Sequence, residues 1–399
     1  MWDSLSSPSS VKPKPTIPFA DWLDQYVLND VYLRKGRELL GVAEVVHPIF
    51  SKLATTIQTP PHHSEGPFVK DGIVRALAGL YAIADGANGE SIEELIREKH
   101  LEQEVRDLFE TIHEHVASLS VYLLCHDLGK IETLVLDAPL GSRGEVEGFY
   151  QHAYRLKRQA TEEERRLYGK LFKAYQAQHA AQTLVQQTAG FFDLYEIHAH
   201  YPEHEKAAIA LLPDFFDPLC DHFRLQPRER SLVRFAIREH MRLMVSLSSG
   251  DAVRAYELLL TRAHRDGLDG DDAMDFLLAA SFLDGCVGSL PYKEGEWKPS
   301  VHLIYKAFSA EEQVAPHRRA KRREREGERK EKALRFALKE AGLDGVALFD
   351  LLQTPFGRER GVIAHEIRTF VLHPELPITF PTHKEEIARR IGKARALLT

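Results

Sequence analysis

The sequence predicts an all-α protein. Apolar residues recur at helical spacing in segment after segment, and several of those segments open on capping signatures. Alternating β-branched runs are nearly absent, so no sheet of any size is expected. The composition agrees: 44% hydrophobic and 28% charged residues over 399 positions, with 25 Gly and 20 Pro, is globular and excludes collagen-like and low-complexity classes.

In chain order, residues 1–17 are Ser/Pro-rich and read as loose. Residues 18–57 follow a helical pattern through Leu23, Val27, Val31, Leu39 and Leu40, and Pro60-Pro61 breaks it. Ile73, Leu77, Leu80 and Ile83 keep a period near 3.6. Ser91-Ile92-Glu93-Glu94 and Thr161-Glu162-Glu163-Glu164 are capping boxes, in which the hydroxyl accepts from an orphan backbone N–H and the glutamate reaches back. Gly141–Glu145 reads as a loop or short hairpin, and Tyr201-Pro202-Glu203 places proline in a first helical turn. A further capping box, Thr382–Glu385, marks a helix near the end. These signals give an N-terminal extension over 1–60, a main domain over 61–295, a linker with a basic helix over 296–332, and a small helical segment over 333–399.

The net charge is −7, from 52 Lys+Arg and 59 Asp+Glu, which excludes a uniformly basic nucleic-acid binder. It is an average: residues 317–332 hold nine Lys/Arg against four Glu, a net of +5, and leave the rest near −12. Such a run is either a solvated helix laced by i,i+4 pairs or a local contact for phosphate backbones. Three cysteines without CxxC spacing are neither a disulfide framework nor a zinc knuckle. The segment MWDSLSSPSSVKPKP has no apolar core, and no run approaches the ~18 apolar residues of a membrane span. The expectation is a cytoplasmic, reducing setting without a membrane.

The unusual count is 20 His, because imidazole is the commonest metal ligand and proton carrier near neutral pH. An apolar helix through Val116, Leu119, Leu123 and Leu124 carries the adjacent pair His126-Asp127 and ends at Gly129. Helical neighbours point about 100° apart, yet they can converge on one ion in the cleft between them. A carboxylate can also bridge a second ion. Downstream, His204, His240 and Asp284 each belong to a separate apolar segment, and ligands from facing helices can meet inside a bundle. Asp284 follows the apolar run Phe276–Leu283, where a carboxylate needs a cation or strong hydrogen bonds. His198 and His200 extend the row of histidines, but Pro202 separates them from His204, and they read as structural.

The order His126-Asp127-Leu128-Gly129-Lys130, His204-Glu205, Glu239-His240-Met241 and Leu283-Asp284 resembles the HD superfamily of metal-dependent phosphohydrolases, over roughly residues 61–290. Within it, the resemblance is nearest to the HD domains attached to tRNA nucleotidyltransferases. It implies an HD-type helical bundle, to which 333–399 adds a C-terminal helical segment. It also implies a metal site of His126, Asp127, His204, His240 and Asp284, with Asp127 as a catalytic residue; Lys130, one turn after His126, is either a second catalytic residue that neutralises phosphate charge or an ordinary lysine at a helix C-terminus. His126, Asp127 and Asp284 would hold a first ion, and His204 and His240 a second ion or the substrate phosphate. Mixed His/carboxylate ligands suit Mn, Fe, Co, Ni, Zn or Mg without choosing among them. The implied activity is phosphodiester or phosphomonoester hydrolysis on nucleotides or RNA ends, with residues 317–332 as a local nucleic-acid contact.

One departure bears on activity. The family has an earlier His ligand, and by register Gly72 stands there, after His63-Ser64-Glu65-Gly66. Glycine has no ligand atom, so Asp71, His62 or His63 substitutes or the site is weakened; His63 is the candidate substitute ligand. The alternative expectation is therefore an impaired HD module that binds nucleotide or nucleic acid as a sensor or scaffold. Neither substrate nor oligomeric state is legible.

Overall fold

Most helical segments read from the sequence form helices, and what places the site is how they pack. The computed structural model describes residues 30–85, 102–151, 153, 155, 158–248, 251–289, 307, 309–311, 313–316, 331–352, 358–373, 376, 378 and 383–398. The Ser/Pro-rich start, the Ser91 capping box, Thr382 and residues 317–330 of the basic run lie outside them. The chain divides into two compact units, Met1–Val314 and Ala315–Thr399.

In the first unit, α1 (Asp30–Val46) leads through a 3-10 turn (Pro48–Ala54) to α2 (Val69–Ala84). Next come α3 (Glu102–Glu114), α4 (Val116–Cys125) and the single turn α5 (Lys130–Thr133). Strand β1 (Val135–Asp137), the turn α6 (Arg143–Val146), α7 (Glu162–Gln178), α8 (Leu184–Tyr195) and β2 (His198–His200) form the next stretch. The unit continues with α9 (His204–Leu211), α10 (Phe216–His222), α11 (Pro227–Ser248), α12 (Ala252–Arg265) and α13 (Gly270–Phe282). A π-helical turn (Leu283–Gly288) ends this stretch.

The 22-residue α11 is central: α4, α9, α12 and α13 all pack on it. On the other side α2 packs against α1, α4 and the π-helical turn. Every side chain of α4 from Ser118 to Cys125 is buried, because this helix is surrounded rather than amphipathic. Ile73, Leu77, Leu80 and Ile83 of α2 face this same core, as the spacing predicts.

Three expectations are corrected. Residues 30–54 are no separate extension, because Leu39, Leu40, Ala43, Phe50 and Leu53 lie in the core of α2 and α4, and that core also takes Ala307 and Ala310, beyond residue 295. Val31, by contrast, is exposed. Gly141–Glu145 forms no hairpin: Ser142 accepts from the backbone N–H of Glu145 and starts the helical turn α6. Pro202 lies outside α9, which begins at His204 after Glu203 in the left-handed region (φ 58°).

The sheet is a two-stranded antiparallel ribbon pairing Val135 with His200 and Asp137 with His198. Beneath it a second core gathers Leu134, Leu136, Phe149, Tyr168, Phe172, Phe191 and Tyr195. Phe191 meets Tyr168 and Phe172 edge-on with centroids 5.2 Å apart, a favoured aromatic geometry. The Thr161 capping box forms as the sequence predicts, and Glu164 also pairs with Arg158.

The second unit has a helical stretch at 331–340, then α14 (Gly345–Leu352), α15 (Arg358–Leu372) and α16 (Lys384–Ala396), around a core that includes Leu334, Leu348, Ile367 and Ile391. No described helix is long and apolar enough to cross a membrane.

At the start of α2, Asp71 accepts from the backbone N–H of Phe68 at 3.1 Å. Burial raises its pKa to about 6, against the hydrogen bond and Lys70, which lower it. The folded chain therefore holds this proton more tightly than the unfolded one. The stability Asp71 contributes is fully present below its unfolded value near ~4 and is lost as pH rises through about 6. Asp71→Asn keeps an acceptor for Phe68 and removes the charge. Urea unfolding should find it about 1–3 kcal/mol more stable than the parent at pH 8 and similar at pH 4. No gain at pH 8 would show that the carboxylate costs nothing there.

Candidate metal centre

The five residues singled out in the sequence meet in space. After Cys125 the chain leaves α-helical pairing for i→i+3 bonds, Cys125 O to Leu128 N and Asp127 O to Lys130 N, so His126 and Asp127 both leave the helix axis toward one point. His204 opens α9, His240 sits in mid α11, and Asp284 sits in the π-helical turn, a local widening that often accompanies functional sites. Gly129 permits the approach of α9. It has ordinary helical torsions, so it is not there for a left-handed turn. A methyl group on it would overlap the His204 carbonyl oxygen and come within 2.6 Å of the Ala208 nitrogen.

Two groups result. His126, Asp127 and Asp284 form one, and Asp127, His204 and His240 the other, each with ligand atoms within 4.8 Å of one another. Asp127 belongs to both: Oδ2 lies 3.4 Å from His126 Nε2, and Oδ1 lies 3.5 Å from His204 Nε2. Asp284 Oδ1 is 3.2 Å from His126 Nε2, and the Nε2 atoms of His204 and His240 are 3.2 Å apart. All but Asp284 are almost wholly buried; the Asp284 side chain is 30% exposed.

The proton positions follow from what each ring faces. Nδ1 of His126, His204 and His240 lies against the carbonyl three residues earlier: Leu123 at 3.1 Å, Tyr201 at 3.1 Å and Ile237 at 2.7 Å. A carbonyl oxygen can only accept, so Nδ1 donates in all three rings; Nε2 is left with a lone pair in His204 and His240, while in His126 it carries the proton that Asp127 and Asp284 favour and that a cation would displace. Lone pairs of His204 and His240 then confront each other at 3.2 Å. A proton between them is disfavoured near neutral pH. Burial, then the neighbouring His240, lowers His204 to about 3; burial, then His126, lowers His240 to about 4. Burial also lowers His126, but Asp127 and Asp284 outweigh it and bring the ring to about 9. Burial would raise the carboxylates, yet His126 and Lys130 hold Asp127 far below its usual range, and His126 holds Asp284 at about 2. Two ionised carboxylates beside inward-facing imidazole lone pairs are a donor set that fits divalent ions, and this buried group could hold a metal ion.

Lys130 is 4% exposed and donates to Asp127 Oδ2 at 2.8 Å. It also lies 3.3 Å from His63 Nε2, while His63 Nδ1 faces Glu65 Oε1 at 3.0 Å. Glu65 accepts from Gln58 as well. His63 stands outside both groups: its Nδ1 donates to a carboxylate and its Nε2 accepts from the ammonium. His62 is exposed, and Asp71 caps α2. Among the described residues the two groups take no member from the stretch around position 72, where a Cβ would lie 2.9 Å from Glu65 Oε1. Glu65 fills the space a longer side chain would take.

His200 bonds Asp137 across the ribbon at 2.9 Å and stays outside both groups. Sequence reasoning missed Glu65 and Tyr122, whose ring stacks on His126. The available signals were the His63-x-Glu65 spacing and the position of Tyr122 one turn before His126.

No protein-family model matches the chain, and neither does a curated protein or a solved structure.

Gly129→Ala should cost about 2–4 kcal/mol in urea unfolding, because backbone rather than a flexible side chain stands in the way. Unchanged stability would show that α9 can retreat. His126→Ala should abolish stoichiometric metal in elemental analysis of the purified protein; an unchanged metal content would remove His126 from the ligands.

Proposed function

We propose that the protein is a metal-dependent phosphohydrolase of the HD type, a phosphodiesterase or phosphatase acting on nucleotides or RNA ends. The observation that carries the proposal is the Asp127 carboxylate shared between His126 Nε2 and the facing Nε2 lone pairs of His204 and His240, which a cation reconciles and the bare imidazoles do not. The order of the motifs around His126, His204, His240 and Asp284 supports the same reading.

A divalent ion held by His126, Asp127, His204, His240 and Asp284 would supply Lewis-acid polarisation of a phosphoryl oxygen and a lowered pKa for water. The chain does the rest. Asp127 orients toward both positions, and the Nδ1 bonds to Leu123, Tyr201 and Ile237 fix the rings so that their Nε2 atoms face inward. Lys130 has three donors, of which one meets Asp127 and one His63. The ammonium also lies 4.9 Å from the Tyr201 ring centroid, and its third donor would turn to a phosphate oxygen, where a fixed positive charge stabilises developing negative charge. The partial exposure of Asp284 marks the side from which substrate enters. The nucleic-acid part of the proposal draws on the basic run 317–332.

Gly72 supports a second reading. With Glu65 where a further ligand would project, the centre is one imidazole short of the family pattern, and the protein would then be a sensor or scaffold that binds nucleotide or nucleic acid without hydrolysis.

Purified protein, its metal counted, should hydrolyse bis(p-nitrophenyl) phosphate or mononucleotides in Mn²⁺ or Ni²⁺. Lys130→Ala should lower kcat about 100-fold. Metal binding without turnover would select the sensor reading, and protein that stays metal-free after reconstitution would refute both.

A further inference from the structure

We infer that the Tyr122 hydroxyl is a hydrogen-bond donor to an oxyanion held at this centre, such as phosphate or a phosphoryl group. The inference rests on the metal-centre reading and adds to it a residue that touches the bound group.

Tyr122 lies on α4 one turn before His126 and is fully buried. Its ring stacks on His126 with centroids 4.9 Å apart and planes 20° apart. It also meets His240 edge-on at 6.3 Å. It therefore touches one imidazole from each half of the centre. The two charges that act on its hydroxyl are Asp284 and then Asp127, again one from the outer edge and one from the middle.

That hydroxyl has no hydrogen-bond partner among the described residues. A buried donor left unpaired is destabilising, and phenylalanine would supply the same stacking without it. Both carboxylates lie near enough to act on the phenol electrostatically, yet neither accepts its proton. The group that accepts it is one the described residues do not supply. Between two imidazoles and two carboxylates that face inward, the acceptor that fits is an oxygen of an anionic ligand. Lys130 approaches the same Asp127 and supplies the charge, while Tyr122 supplies a neutral, directional donor. The chemistry selects a tetrahedral oxyanion, which has oxygens to spare once some are engaged elsewhere.

The experiment compares wild type and Tyr122→Phe, both loaded with Mn²⁺, by calorimetric titration with inorganic phosphate. Metal content is measured separately. Phenylalanine retains the ring against His126, so Mn²⁺ stoichiometry and the unfolding midpoint should hold or the midpoint rise. Phosphate affinity should fall about tenfold or more. Equal phosphate affinity at equal Mn²⁺ content overturns the inference and leaves the metal reading standing; the hydroxyl would then face at most a bound water. Loss of Mn²⁺ from the variant alone also overturns it, since the tyrosine would then serve the metal site rather than its ligand. Wild type that takes up no Mn²⁺ refutes the metal reading and the inference together. A second variant carries 3-fluorotyrosine at position 122 and keeps both ring and hydroxyl. Its ¹⁹F resonance should shift on phosphate addition, and an unmoved resonance counts against contact.

Discussion

Asp127 is a carboxylate taken almost wholly out of water, and the packing around it is arranged to compensate that charge. Desolvating a carboxylate is costly unless partners with good geometry replace the lost hydration. Here they come from three side chains on two stretches: His126 and Lys130 beside it in the chain, and His204 from α9. Each requires its helix to arrive at a fixed place. Lys130 reaches back because the chain tightens to i→i+3 bonds after Cys125, and His204 arrives because Gly129 leaves room for the α9 backbone. The buried apolar faces of α4 and α11 supply the hydrophobic driving force, but the carboxylate determines which side chains those helices must present.

A second layer of charges holds the first in place. Lys130 is positioned by His63, and His63 by Glu65, so Asp127 is tied through four side chains to the loop before α2. On the far side, Glu239 is fully buried beside His240 and bonds Arg238 at 2.8 Å, Arg242 at 2.9 Å and Arg262 at 3.0 Å. Arg262 belongs to α12, so this carboxylate locks α12 to α11 and with it the height of His240. Each charged side chain in both clusters has a partner of opposite charge or a hydrogen-bond partner, the kind of buried polar network that specifies a structure.

The all-α class was legible because the helical period, the Thr161 cap and the absence of β-branched alternation all point one way. The five convergent residues were legible because apolar segments each carrying one polar ligand type have few other uses. What the sequence concealed was set by contacts between distant segments. Gly129 looks like a helix terminator, yet its reason is a backbone crossing 75 residues away in sequence, at His204. His63 looks like a spare ligand until Lys130 and Glu65 are seen to engage both its nitrogens. Residues 30–54 look peripheral because a weak helical pattern gives no sign of what it packs against, whereas Phe50 and Leu53 lie wholly within the main core. Tyr122 reads as one more core aromatic, since only the surroundings of its hydroxyl set it apart.

The two halves of the centre are chemically unequal, and this bears on Gly72. Around Asp127, one half adds an imidazole and a second carboxylate, and the other adds two imidazoles. The oxygen-richer half suits a harder cation, and the nitrogen-richer half suits a transition metal. Each half offers three protein donors, which leaves coordination positions for water or substrate, as catalytic sites do and closed structural sites do not. Glycine at position 72 therefore does not empty the centre. Beside it stands Glu65, whose carboxylate acts through His63 on Lys130. The Lys130 ammonium is thereby held beside Asp127 by a chain of buried side chains.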